Sequence, residues 1–222
     1  MGRQVSKSLA TAISAKIAAT VVGIAFLASV LIVTLVDDFL LANFVVPGDT
    51  SALARDIEAN PAVLVFASIG YLVVLVIDSI IGIGLYIVLN PVNRKLAALT
   101  GALRLLYAVV LMVGVLALLF QTIDAYGYAA IKGVGYIFFA SHIFLLGYVV
   151  FVSGYIPRFL GVLLIVASLT YSIFLIDIEF PEHFLVLIML TMAVAEIALC
   201  TWLLVKRNSL PEAGQRGLNG TA

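Results

Sequence analysis

The stretch Ile77–Arg104, IDSIIGIGLYIVLNPVNRKLAALTGALR, decides the fold. Two apolar runs meet at the basic turn Asn90–Lys95, and each run carries one charge well inside it, Asp78 before the turn and Arg104 after it. About 20 apolar residues cross a hydrocarbon core of ~30 Å, so the stretch reads as two membrane-spanning helices joined by a tight turn. The second span is expected over 62–89 and the third over 96–120.

The rest of the chain has the same character. Of 222 residues, 64% are hydrophobic and 11% charged, against roughly half and a quarter in a soluble domain. A single membrane domain over 1–207 fits this length, and no separate soluble domain does. The net charge is zero, which leaves no electrostatic footprint for a nucleic-acid partner. The one cysteine, Cys200, lies inside an apolar run, so neither an internal disulfide nor a cysteine metal site is expected.

The first span is expected over 17–36, after Arg3, Lys7 and Lys16. A cleaved signal peptide is the rival reading, but the run is long for one and no A-x-A site follows closely. Ala15, Ala19 and Gly23 place a small residue at every fourth position, which lets another helix approach. From Asp37 to Asn60 the chain is acidic and broken by Pro47-Gly48-Asp49, and Leu53 and Ile57 would give a short amphipathic helix lying on the outer surface. Asn60-Pro61 then opens the second span, Asn as cap and Pro at the first helical position. A polar loop is expected over 121–132, then spans over 134–153, 159–176 and 184–205. A polar tail, 208–222, is expected to be disordered.

Orientation follows from the charges. The N-terminus, the Asn90–Lys95 turn, the Gly154–Arg158 turn and the tail hold nearly all the Lys and Arg, and the alternate loops nearly all the acids. The positive-inside rule then places both termini in the cytoplasm, and six spans satisfy that parity. The expected architecture is an all-α bundle of six transmembrane helices in the cytoplasmic membrane.

Four ionisable residues fall within the spans: Asp78, Arg104, His142 and Glu196. Each costs ~2.5–3.5 kcal/mol at a helix centre on insertion scales, so such groups face the bundle interior and pair. With a rise of ~1.5 Å per residue, all four lie roughly 12 to 16 Å from the cytoplasmic helix ends, in one layer. Asp78–Arg104 and Glu196–His142 pairs, or one shared network, are expected, and a protonated His142 would make the set neutral. Tyr71, Asp78, Gly82 and Tyr86 share a side of the second span, and Thr100, Arg104 and Tyr107 share a side of the third. Met189, Met192, Glu196 and Cys200 align on the sixth, and Gly135 and Phe138 flank His142 on the fourth. The three tyrosines Tyr71, Tyr86 and Tyr107 are the expected supporting residues.

Three readings of the layer compete. It binds or moves a small polar ligand, an ion or a proton; it performs intramembrane acid–base catalysis; or it is a structural lock in an assembly factor. The first requires a water-accessible path to Asp78 or Glu196, the second a pocket open to lipid with His142 beside a carboxylate, the third mutually satisfied charges with no pocket. No HExxH metal motif, P-loop or GxSxG elbow is present, and no span holds a lysine for a Schiff base, so neither a metal nor a cofactor is expected. The partner that composition demands is the lipid bilayer.

The strings Val46-Pro47-Gly48-Asp49, Asn90-Pro91-Val92-Asn93-Arg94, Leu103-Arg104-Leu105, Leu146-Gly147-Tyr148, Ser153-Gly154-Tyr155-Ile156-Pro157-Arg158-Phe159-Leu160-Gly161-Val162-Leu163-Leu164 and Glu196 to Lys206 resemble the bacterial membrane family called domain of unknown function 4386. The likeness runs from about Ala10 to Arg207. It implies a prokaryotic six-span protein with Asp78, Arg104, His142 and Glu196 at matched positions, and it carries over no catalytic residue.

Overall fold

The computed structural model describes residues 13–36, 60–173 and 181–211. The expected surface helix between the first two spans, residues 174–176 of the fifth and the tail from 212 onward lie outside the described residues. Within them the chain forms six α-helices: α1 Ala15–Thr34, α2 Pro61–Leu89, α3 Arg94–Leu119, α4 Ala125–Val152, α5 Arg158–Ile173 and α6 Glu182–Lys206. Five are long and apolar enough to cross a membrane, and α5 is described over 16 residues, up to the edge of the described segment.

Local chemistry sets most of the helix starts. The Ser14 hydroxyl oxygen accepts from the Ile17 amide, and the Asn93 side chain accepts from the amides of Lys95 and Leu96 at 3.0 and 3.1 Å, so α3 begins two residues earlier than expected. Pro61 occupies the first turn of α2, but the Asn60 side chain makes no capping bond there. The turn between α2 and α3 is pinned from outside: the Tyr155 hydroxyl donates to the Val88 carbonyl oxygen at 2.8 Å, one of the carbonyls a helix end leaves without an intrahelical donor.

The largest departure from expectation is at 121–132. Asp124 caps α4 by accepting from the Gly127 amide at 2.7 Å, so the helix starts at Ala125, where a polar loop was expected. The residues that read as loop, Tyr126, Tyr128 and Lys132, are an amphipathic helix. Tyr128 is buried against Leu111, Val115 and Leu118 of α3, and Tyr126 is exposed. At the other end, the chain past Lys206 forms the 3-10 turn Arg207–Ser209, and Leu210 packs into the core.

Each helix packs against its neighbour in the chain, and α6 closes on α1, so the six form a ring. The ring is inverted relative to a water-soluble bundle. Phe66, Ile69, Val73, Val76, Ile80 and Ile83 recur at intervals of three and four on α2, and all are exposed, whereas Asp78, Thr100, Arg104, His142, Ser168 and Glu196 are buried. Apolar side chains outward and ionisable ones inward is the arrangement a lipid solvent imposes.

Candidate functional site

The site is built on a close helix crossing. A Cβ added at Gly101 of α3 would lie 2.9 Å from the Gly82 carbonyl oxygen of α2, and one at Gly82 would lie 3.3 Å from the Gly101 oxygen. Small residues let helices approach to this degree where no hydrophobic force separates them from lipid. The antiparallel register that sets Gly82 against Gly101 also sets Asp78, one turn back, beside Arg104, one turn on. Arg104 Nη2 donates to Asp78 Oδ1 in a buried ion pair.

Arg104 does not stop there. Its Nη1 lies 3.3 Å from His142 Nε2 of α4, and His142 Nδ1 lies 2.8 Å from the Thr100 carbonyl oxygen of α3. A carbonyl oxygen only accepts, so the bonding assigns the imidazole proton to Nδ1 and makes Nε2 the acceptor of the guanidinium. His142 is therefore neutral in this network. A protonated His142, which would have made the four-residue set neutral, does not fit this bonding, because a ring nitrogen that accepts from an arginine donor carries no proton of its own.

The expected Glu196–His142 pair does not form. Glu196, on α6, instead accepts at Oε1 from the Tyr171 hydroxyl of α5 at 2.5 Å. Among the described residues the Asp78–Arg104 contact is the one ion pair, so Glu196 faces a neutral donor where Asp78 faces a cation. Arg104 and Glu196 nevertheless line the same small central cavity, of about 10 Å3, to which all six helices contribute. The four ionisable residues thus share one layer, three bonded to each other and the fourth across the cavity.

Phe139 of α4 holds the layer together on its other side. The Arg104 guanidinium carbon lies 5.3 Å from its ring centroid, and the ring meets Tyr107 at 4.5 Å, Tyr171 at 4.8 Å and His142 at 5.9 Å between centroids. Phe138, expected on this face, is only half-buried. The inward stripe runs Phe139, His142, Ile143, Leu146, a three-and-four spacing that was present in the sequence beside the four-residue step chosen from it. Tyr107 therefore touches the site's aromatic wall. Tyr71 packs instead with Leu75, Ala108 and Leu111 in a second apolar cluster, and Tyr86 packs against the main core near Gly101. On α6, Met189 is 61% exposed and Met192 half-buried, so the inward stripe begins nearer Glu196 than expected. Tyr171 was not singled out from the sequence, because its partner is one helix away and its own helix carries hydroxyls at Ser168, Thr170 and Ser172 as well.

An inverted all-helical ring with a buried ionic layer, five of its helices fit to cross a membrane, defines a membrane-type bundle with polar chemistry confined to its interior. The chain belongs to the family described as Domain of unknown function (DUF4386), whose profile matches residues 21–130 and 116–206. It is similar to an uncharacterized protein of the archaeon Archaeoglobus fulgidus, 30% identical over 164 residues, which cover 73% of this chain and 96% of that protein. No solved structure matches it.

Proposed function

We propose that this is a six-span protein of a prokaryotic cytoplasmic membrane, both termini inside, that takes up and passes a proton through Glu196. The orientation is supported by Lys16, Arg94, Lys95, Arg158, Lys206 and Arg207, which all sit at the helix ends of one side of the ring, where basic residues mark the cytoplasm. The observation that carries the proton reading is the contrast between the two carboxyls. Asp78 is bound to Arg104, and a proton added to it would break that pair. Glu196 holds only the Tyr171 hydroxyl and can gain or lose a proton without breaking one.

Charge counting agrees. With Asp78 and Arg104 paired and His142 neutral, the layer is neutral when Glu196 holds a proton and carries one negative charge when it does not. Both states keep every other bond of the network. Size narrows the cargo: a cavity of about 10 Å3 admits nothing larger than a water molecule, which argues against a small organic solute or a hydrated ion in this conformation. The enzyme reading lacks its main requirement, since His142 adjoins Arg104 and not a carboxylate.

The same geometry favours a second reading, in which the layer is a structural lock. Arg104 ties α2, α3 and α4 together, and its two terminal nitrogens are both engaged. The two readings part at Glu196. In liposomes holding a trapped pH-sensitive dye, an imposed pH step should collapse faster with the wild-type protein than in empty vesicles, and Glu196→Gln should return the rate to that of empty vesicles. A Glu196→Gln protein that folds and passes protons at the wild-type rate eliminates the proton reading and leaves the lock.

A further inference from the structure

We infer that the central cavity is a binding site for one water molecule, which bridges Arg104 Nε to the Glu196 carboxyl. Two independent observations meet here. The cavity, walled by Val22 of α1, Ile81 of α2, Arg104 of α3, Leu146 of α4, Leu164 of α5 and Glu196 of α6, has a volume of about 10 Å3, at the lower edge of the roughly 10–15 Å3 that one water needs. Arg104 Nε, in a side chain 4% exposed, is the one buried side-chain nitrogen or oxygen among the described residues with no protein partner. Its two terminal nitrogens, each bearing two N–H groups, engage Asp78 and His142, and the fifth N–H, on Nε, belongs to a side chain that lines the cavity. Buried donors of this kind are almost always satisfied, by protein or by ordered water.

The chemistry of the wall selects water over an ion. The occupant must accept from Nε–H, which an ammonium or a metal cation cannot do beside a guanidinium. It must also sit against a carboxyl, which an anion such as chloride would meet as a like charge whenever Glu196 is ionised. Water accepts from one and donates to the other. Bound there, it joins the Asp78–Arg104–His142 chain to the Glu196–Tyr171 pair, so that one hydrogen-bonded path crosses the ring from α2 to α5. The site stands on the cavity and on the arginine, whether or not Glu196 passes protons.

The test is a high-resolution X-ray structure of the full chain crystallised from a lipidic mesophase, in buffer containing bromide as its only halide. The expected result is a single density peak within hydrogen-bond reach of both Arg104 Nε and the Glu196 carboxyl, with no anomalous signal. An empty cavity overturns the site, and so does a peak that scatters as bromide. The structure of Glu196→Gln should keep the peak, because an amide still bonds water. A retained peak with unchanged proton passage in that variant sinks the proton reading alone; lost proton passage with an empty wild-type cavity sinks the water site alone.

Discussion

Replacing Arg104 with glutamine is expected to destabilise the protein more than any other single change in the ionic layer, by about 3–5 kcal/mol, the range for breaking a buried ion pair by removing one partner. The cost has three sources. Asp78 is left as a carboxylate in an interior with no cation, His142 Nε2 loses its donor, and the Phe139 face loses the guanidinium stacked 5.3 Å from its centroid. Arg104→Lys should recover only part of this, since an ammonium can reach Asp78 but lacks the planar fork that serves Asp78 and His142 together. The sharper experiment is the cycle of Asp78→Asn, Arg104→Gln and their combination, followed by thermal unfolding in detergent. The double variant should be markedly more stable than the sum of the singles predicts, because the neutral pair removes the orphaned charge that each single leaves. Strict additivity would mean that the two side chains do not depend on each other.

The second large effect is expected outside the ionic layer, at the crossing of α4 and α5. A Cβ at Gly161 would lie 2.7 Å from both the Gly147 carbonyl oxygen and the Phe151 amide nitrogen, and one at Gly147 would lie 2.8 Å from the Gly161 oxygen. The obstacles are backbone atoms, which no rotamer change can move aside. In an isolated helix Gly→Ala stabilises by about 0.8–1 kcal/mol, so intrinsic propensity pushes the other way. Here the contact decides the sign. Gly161→Ala should cost roughly 1–3 kcal/mol through overpacking, read as a lower melting temperature. Gly133, where an added Cβ would meet nothing within 4 Å, is the internal control and should tolerate alanine or gain from it. Equal responses at the two sites would mean that α4 and α5 are not held at backbone contact.

Much of this was readable from one sequence, and the reason is the solvent. Lipid demands long apolar helices and inward-facing charges, so the helices and the membership of the layer follow from Asp78, Arg104, His142 and Glu196 standing alone in apolar runs. The partners did not follow. A depth along a helix fixes a layer but not which side chains meet across it, and Glu196 bonds Tyr171 because α6 neighbours α5 in the ring, while His142 on α4 looks toward α3. The start of α4 was hidden for a different reason. Tyr126, Gly127, Tyr128 and Lys132 have the composition of an interfacial loop, and it takes the Asp124 cap on the Gly127 amide and the burial of Tyr128 against α3 to show that a helix opens there. The tautomer of His142 was also beyond sequence, since it depends on the Thr100 carbonyl.

Whether Glu196 is the member of the layer free to exchange a proton is read by infrared difference spectroscopy of the reconstituted protein across a pH series. A protonated carboxyl has a carbonyl stretch that a carboxylate lacks, and one in apolar surroundings absorbs at higher frequency than those exposed to water. The wild-type protein should show one such high-frequency band that grows on acidification, vanishes in Glu196→Gln and persists in Asp78→Asn. A band that survives Glu196→Gln, or a wild-type spectrum without one at any pH, would contradict proton exchange at Glu196.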